Sequence, residues 1–254
     1  MRALLGILTG FVGGSLGGAF GVGGAIVTTP AVQVLLGAPP IVAVGTPLPA
    51  TFPTTISGVQ AYRRRGAIDY RAVAWAAPLG AVGAAGGAAL TALVDADALL
   101  LATALLLGWQ SVRMLRERGD ASPEEPAAPS RGALMATGLV AGFTSGLLGV
   151  GGGIILVPVM TGVLRMPLKT VLGTSLVIIS VMIIPGTIVH AALGHIDWAI
   201  FAWLTIGAIP GAALGSRWTV GAKDRTVRIA VAALLGAVSA AYGTMETIRL
   251  IRGA

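Results

Sequence analysis

The chain has 254 residues, of which 55% are hydrophobic and 11% charged, with a mean hydropathy of +0.88. A soluble domain carries about 25% charged residues, so lipid rather than water is the main solvent here, and the net charge of +7 reads as basic loops between apolar spans and not as a nucleic-acid surface. Cysteine is absent, which excludes disulfides, thiolate chemistry and cysteine-based metal sites, and nothing in the pattern calls for a metal or cofactor.

Residues 4–36 are apolar and interrupted only at Gly21-Val22-Gly23-Gly24. As one helix they would extend about 50 Å, too long for a hydrocarbon core of ~30 Å. Two crossings would need ~40 residues and a turn, so the segment is expected to fold back as a broken helix or short hairpin. Met1-Arg2 before an apolar run has the form of a signal peptide. The same run recurs inside the chain, where it cannot be cleaved, so the N-terminus is expected to be structural. A helix over 40–61 follows, then the basic loop 62–66, a helix from Tyr70 to about Val94, a turn at 95–97 and a helix to about 115. The charged, Pro- and Ala-rich stretch 116–132 reads as a cytoplasmic linker. It separates a first transmembrane repeat, 1–115, from a second, 133–254, in one integrated membrane domain.

The two halves are copies. Gly10, Gly14, Gly18, Gly21 and Pro30 match Gly138, Gly142, Gly146, Gly149 and Pro158 at a fixed interval of 128 residues. At the same interval Thr46 matches Thr174, Asp69 matches Asp197, Trp75 matches Trp203 and Gly83 matches Gly211. The basic loops decide the orientation. If each copy crosses an odd number of times, the loops at 63–71, 165–169 and 217–228 and the linker share the inside, leaving few basic residues outside. An even number separates them and fits the positive-inside rule less well. The expected fold is therefore an all-α polytopic membrane protein with two inverted-topology repeats, each a broken or re-entrant segment plus three transmembrane helices.

The segments Gly146-x-x-Gly149-x-Gly151-Gly152-Gly153 with Pro158, Gly173-Thr174-Ser175-Leu176, and His190-x-x-x-Gly194-x-Ile196-Asp197-Trp198 resemble the TauE/SafE family of sulfite and sulfonate exporters, also called the toluene sulfonate uptake permease family. The likeness covers nearly the whole chain apart from the linker. The first copy is more degenerate, with Ala25 for the third glycine, Pro47 for Ser175 and Tyr62 for His190. The resemblance implies export of a small sulfur-containing anion by a multi-pass protein of the cell (inner) membrane, with no enzymatic activity. Sulfite itself, the coupling ion and a homo-oligomeric state stay open.

Each candidate residue also has a plainer reading. Glycines at every fourth position serve close helix packing. The dense clusters at 21–24 and 149–153 are poor helix, and unwound backbone at membrane depth needs protein or a wet cavity around it. Half-helices starting near Ala25 and Ile154 would present free amides and a partial positive charge to an anion. Gly23, Gly24, Ala25, Gly151, Gly152 and Gly153 are therefore the candidate substrate site, and a tight turn without ligand is the alternative. Thr46, Thr174 and Ser175 could add neutral donors, or only bond the carbonyl one turn back. His190, with Tyr62 as its counterpart and Gln60 nearby, is a candidate for coupling or gating, against a plain hydrogen-bonding role. Asp69 and Asp197 are expected as helix N-caps. No acid falls in mid-span, the nearest being Glu246, which argues against carboxylate-based ion coupling. A passive anion channel on the same scaffold is the alternative function. An intramembrane hydrolase using Ser145 and His190 is disfavoured, because the counterpart of Ser145 is Gly17.

Overall fold

A computed structural model describes residues 1–91, 93–94, 105, 108–109, 112, 129–227, 229–233, 236–237 and 239–240. The predicted turn at 95–97, most of the helix to 115, the linker up to 128, and Glu246 lie outside these residues. The elements in order are α1 (Arg2–Phe20), α2 (Ala25–Leu35), α3 (Pro40–Gly45), α4 (Pro47–Arg64), α5 (Tyr70–Thr91), α6 (Arg131–Leu148), α7 (Gly153–Pro158), a wide π turn (Val159–Val163), α8 (Leu168–Ala192) and α9 (Trp198–Gly221). No strand occurs among the described residues. The helices α1, α5, α8 and α9 are long and apolar enough to cross a membrane, as a multi-pass membrane protein requires.

Local chemistry sets the ends. Asp69 Oδ1 accepts from the amides of Arg71 and Ala72, and Asp197 Oδ1 from those of Ala199 and Ile200, so both aspartates cap the helices that follow them. The helix expected over 40–61 differs in two ways. It is divided at Thr46, because Pro47 brings no N–H and restarts the helix at its first position. It also runs on through Tyr62, Arg63 and Arg64, which the sequence reading placed in a loop. Cations in a last turn are stabilised by the carbonyl end of the helix dipole.

The opening segment of each copy is a hairpin. A Cβ added at Gly13 would strike Thr28, and one added at Gly17 would strike Gly24, so α2 runs back along α1. The opening helices then pack on the other copy. Cβ atoms added at Gly10, Gly14 and Gly18 would run into the backbone of Leu204, Ala208 and Ala212 on α9. At the same interval, Gly138, Gly142 and Gly146 of α6 abut Ala76, Gly80 and Ala84 of α5. Both seams rise together in number, so each pair is parallel, and neither backbone could approach so closely with side chains present.

The long helices thus sort into two interleaved bundles. One holds α1, α4 and α9; the other holds α6, α8 and α5. Within the first bundle, Ser57 Oγ donates to Ile209 O at 2.8 Å, and further along Arg64 and Arg217 line one cavity, so α4 and α9 are parallel. Between bundles, Gly58 meets Leu176 and Tyr62 meets Gly173, so α4 and α8 are antiparallel. The core gathers along this contact, with Leu172, Leu176, Ile178, Ile179 and Met182 fully buried.

Four basic segments lie on one face. Arg64, Arg65 and Arg217 share a cavity. Asp69 and Arg71 line another with Pro129, Met166 and Thr170. Lys169 Nζ reaches Asp224 at 3.4 Å, and the Arg131 guanidinium lies 5.0 Å from the Trp75 ring centre. Every lysine and arginine among the described residues belongs to this face except Arg2, which starts α1 at the opposite end.

Candidate functional site

Each opening helix ends in glycines, which have no Cβ and so adopt left-handed backbone without strain. The angles φ are 67°, 85° and 80° at Gly21, Gly23 and Gly24, and 65°, 84° and 63° at Gly149, Gly151 and Gly152. The same turn is thus built twice. The two breaks touch. A Cβ added at Gly151 would lie 3.0 Å from Val22 O and 4.0 Å from Gly23 Cα, and one at Gly153 would strike Val22 Cα. All the residues of both breaks are buried.

Not every candidate glycine faces the partner break. Gly23, Gly151 and Gly153 do, and Ala25 brings its methyl against Gly151. Gly24 instead faces Gly13 O on its own opening helix, and Gly152 faces Met182 of α8 together with Ala141 O and Ser145 of its own opening helix. Beside the meeting point stand Thr51 and Ile179, both next to Gly23. Neither Gly24 nor Gly152 provides a side-chain cap. The first amides of α2, at Ala25 and Ile26, therefore have no carbonyl one turn back.

The carbonyls at the breaks are held by hydroxyls. Ser175 Oγ donates to Gly21 O at 2.8 Å, with Leu172 O at 3.0 Å. The equivalent carbonyl, Gly149 O, cannot be reached that way, because Pro47 stands where Ser175 would be. Thr29 Oγ1 takes over from a different helix, donating at 3.0 Å. Sequence reasoning missed Thr29, though its counterpart Val157 marks a mismatch complementary to that of Pro47. With these carbonyls occupied, fewer negative dipole ends are left free where the amides gather.

Thr46 and Thr174 do a different job. Thr174 Oγ1 accepts from the amide of Asp69 at 2.9 Å, and Thr46 Oγ1 from that of Asp197 at 3.0 Å. Each hydroxyl ties a helix-capping loop of the other copy. Tyr62 and His190 are likewise equivalent. Tyr62 Oη donates to Gly18 O and Ala19 O at 3.1 and 3.0 Å, and His190 Nε2 donates to Gly146 O at 3.0 Å. Both brace the last turn before a break.

His190 is fully buried, and its Nδ1 lies 3.1 Å from Nδ1 of His195 in the following turn. Burial lowers the basicity of the His195 ring. Ser145 Oγ is buried with no hydrogen-bond partner, and His190 Nε2 donates instead to the carbonyl of the neighbouring Gly146, so no serine–histidine dyad is formed. Among the described residues no group of three or more His, Asp or Glu could hold a metal ion. Gln60 is away from the breaks, in a cavity of about 270 Å³ between α4 and α9.

The model of the sulfite exporter TauE/SafE family matches residues 6–242. A probable membrane transporter protein of Xylella fastidiosa (strain 9a5c) is 32% identical over 213 residues, covering 82% of this chain and 80% of the relative. Probable membrane transporter protein YdhB of Bacillus subtilis (strain 168) is 26% identical over 222 residues, covering 85% and 86%. One from Methanocaldococcus jannaschii, MJ0441, is 24% identical over 248 residues, covering 91% of each. No solved structure matches the chain significantly.

Proposed function

The chain belongs to the sulfite exporter TauE/SafE family of membrane transporters, and on that premise we propose that it is a permease moving small sulfur-containing anions, sulfite or organosulfonates, through a central site between its two copies. The observation that carries this reading is the contact between the two glycine breaks, buried at the meeting point of both bundles. An anion entering there would meet the amides of Ala25 and Ile26 on one side and those of Gly151, Gly152 and Ile154 on the other, the Gly153 amide being held by Gly151 O. Helix starts favour negative charge, and at membrane depth the dipoles are weakly screened.

The copies sit inverted in the bilayer on this reading. In support, the four basic segments that share a face are those an odd number of crossings per copy would group inside. The antiparallel run of α4 against α8, which are equivalent helices, agrees with it. Access would alternate as one bundle tilts against the other. The moving bodies are then interleaved bundles and not the two sequence repeats, since each bundle borrows its third helix from the other copy. The contact of α4 with α8 is the hinge.

Flux into liposomes tests the reading. Purified protein is expected to carry sulfite, sulfate or isethionate faster than protein-free vesicles. Ala25→Leu, which fills the contact at Gly151, should cut that flux at least about tenfold if the site lies there, while the protein still elutes monodisperse. Absence of flux for all three anions would sink the proposal.

A further inference from the structure

The duplication provides an internal control for every surface, and one surface fails to repeat. The cavity between α4 and α9 is lined by Ser57, Gln60, Arg64, Arg65, Ser216 and Arg217, together with alanines and Val220. The residues 128 positions away, between α8 and α5 at the other end of the molecule, are Pro185, Ile188, Ala192, Leu193, Ala88 and Ala89. Three guanidinium groups, a carboxamide and two hydroxyls on one side answer to nothing but hydrocarbon on the other. The equivalent helix pair, α8 with α5, packs through apolar side chains alone at these positions, so helix packing does not by itself call for these polar groups. Orientation signals alone would not need a hollow.

The chemistry of the lining is specific. Ser57 and Ser216 donate their hydroxyl protons to Ile209 O and Ala213 O, at 2.8 and 3.2 Å. The remaining donors are the Gln60 amide and the arginines, which are exposed and have no acidic partner among the described residues. Guanidinium forks match the paired oxygens of an oxyanion. Uncompensated positive charge in a concave site raises the local concentration of anions.

We infer that this cavity is a second oxyanion site, a loading station on the basic face of the protein, with no equivalent on the opposite face. It takes a small, multiply charged oxyanion, and it deepens the permease reading on which it rests: substrate collects between Arg64, Arg65 and Arg217 before reaching the glycine breaks. The one-sidedness makes the arginine face the side of capture. An anionic lipid headgroup offers the same oxygens, so the test separates the two sources.

Equilibrium dialysis of the full-length chain in phosphatidylcholine nanodiscs, with radiolabelled sulfate and sulfite as probes, reads the site directly. R64A/R217A is expected to weaken binding at least about tenfold. Arg63→Ala, outside the cavity, should shift it less than about twofold, and added salt should weaken the unmodified chain more than the double variant. If R64A/R217A aggregates, R217Q gives the same readout with the side-chain length kept. Equal binding by unmodified and variant chains would overturn the assignment. The second arm uses nanodiscs half of phosphatidylglycerol. Sulfate binding that persists there supports a free anion, whereas phospholipid that co-purifies with the unmodified chain, displaces sulfate and is absent from R64A/R217A assigns the cavity to lipid and overturns it. A chain that binds sulfate here yet carries no anion keeps the cavity and loses the permease; one that carries anions while R64A/R217A binds normally does the reverse.

Discussion

Thr46 accepts a hydrogen bond from the backbone amide of Asp197 at 3.0 Å, and the equivalent pair, Thr174 and Asp69, is joined at 2.9 Å. Both hydroxyls are fully buried, so replacing either threonine by valine leaves an amide without its acceptor. A buried donor left unpaired costs about 1–3 kcal/mol. Thr46→Val and Thr174→Val should therefore lower the thermal midpoint in detergent by similar amounts. The two pairs share no partner, so the double variant should lose about the sum. A large effect from one and none from the other would show that the two ties are not equivalent.

The glycine seams make a sharper contrast. A Cβ at Gly142 would enter the backbone of Gly80, whereas one at Gly86, on the same α5 helix as Gly80, meets nothing within 4 Å. Gly142→Ala must push α6 away from α5 along its length, and is expected to abolish monodisperse elution. Gly86→Ala removes a flexible residue from a helix interior and should stabilise by up to about 1 kcal/mol. Thermal unfolding of the two variants side by side checks the register.

Much of this arrangement is written in the residues. The interval of 128, the two breaks and the capping aspartates follow from glycine's backbone freedom and from carboxylate chemistry, both local. What the sequence does not carry is the choice of partner. Gly10, Gly14 and Gly18 announce a close-packed seam without saying that it is filled by α9 of the other copy, because any small-residue stripe would fit. Thr29 was missed for a related reason: its acceptor, Gly149 O, is 120 residues away. The arginine cavity needs both causes, since Arg64 and Arg217 meet only once α4 and α9 are known to be parallel neighbours.

The unequal hydroxyls at the breaks give a rescue experiment. Thr29→Val should leave Gly149 O, at the second break, without its donor, and lower anion flux several-fold through the added negative dipole at the site. Restoring the equivalent of Ser175 should undo it. Pro47→Ser on the Thr29→Val background is expected to return most of the flux, because Val44 already packs on Gly149 as Leu172 packs on Gly21. Failure of the second substitution to recover any flux would show that Thr29 acts through packing and not through the carbonyl.

The histidines set a pH dependence whose sign follows from the hydrogen bonds. Gly146 O can only accept, so His190 Nε2 carries a proton. A neutral His190 then accepts at Nδ1 from Nδ1–H of His195. Burial holds the His195 ring below its usual value, so folding favours its neutral form. Its contribution is complete above the unfolded value of about 6.5, and is lost as pH falls through the lowered folded value. Between pH 8 and pH 5 the thermal midpoint of the unmodified protein should therefore fall on the acid side, and His195→Ala should flatten that fall. A steeper acid loss in His195→Ala than in the unmodified chain would mean that the ring is stabilised in its charged form, and that the proton lies elsewhere in the pair.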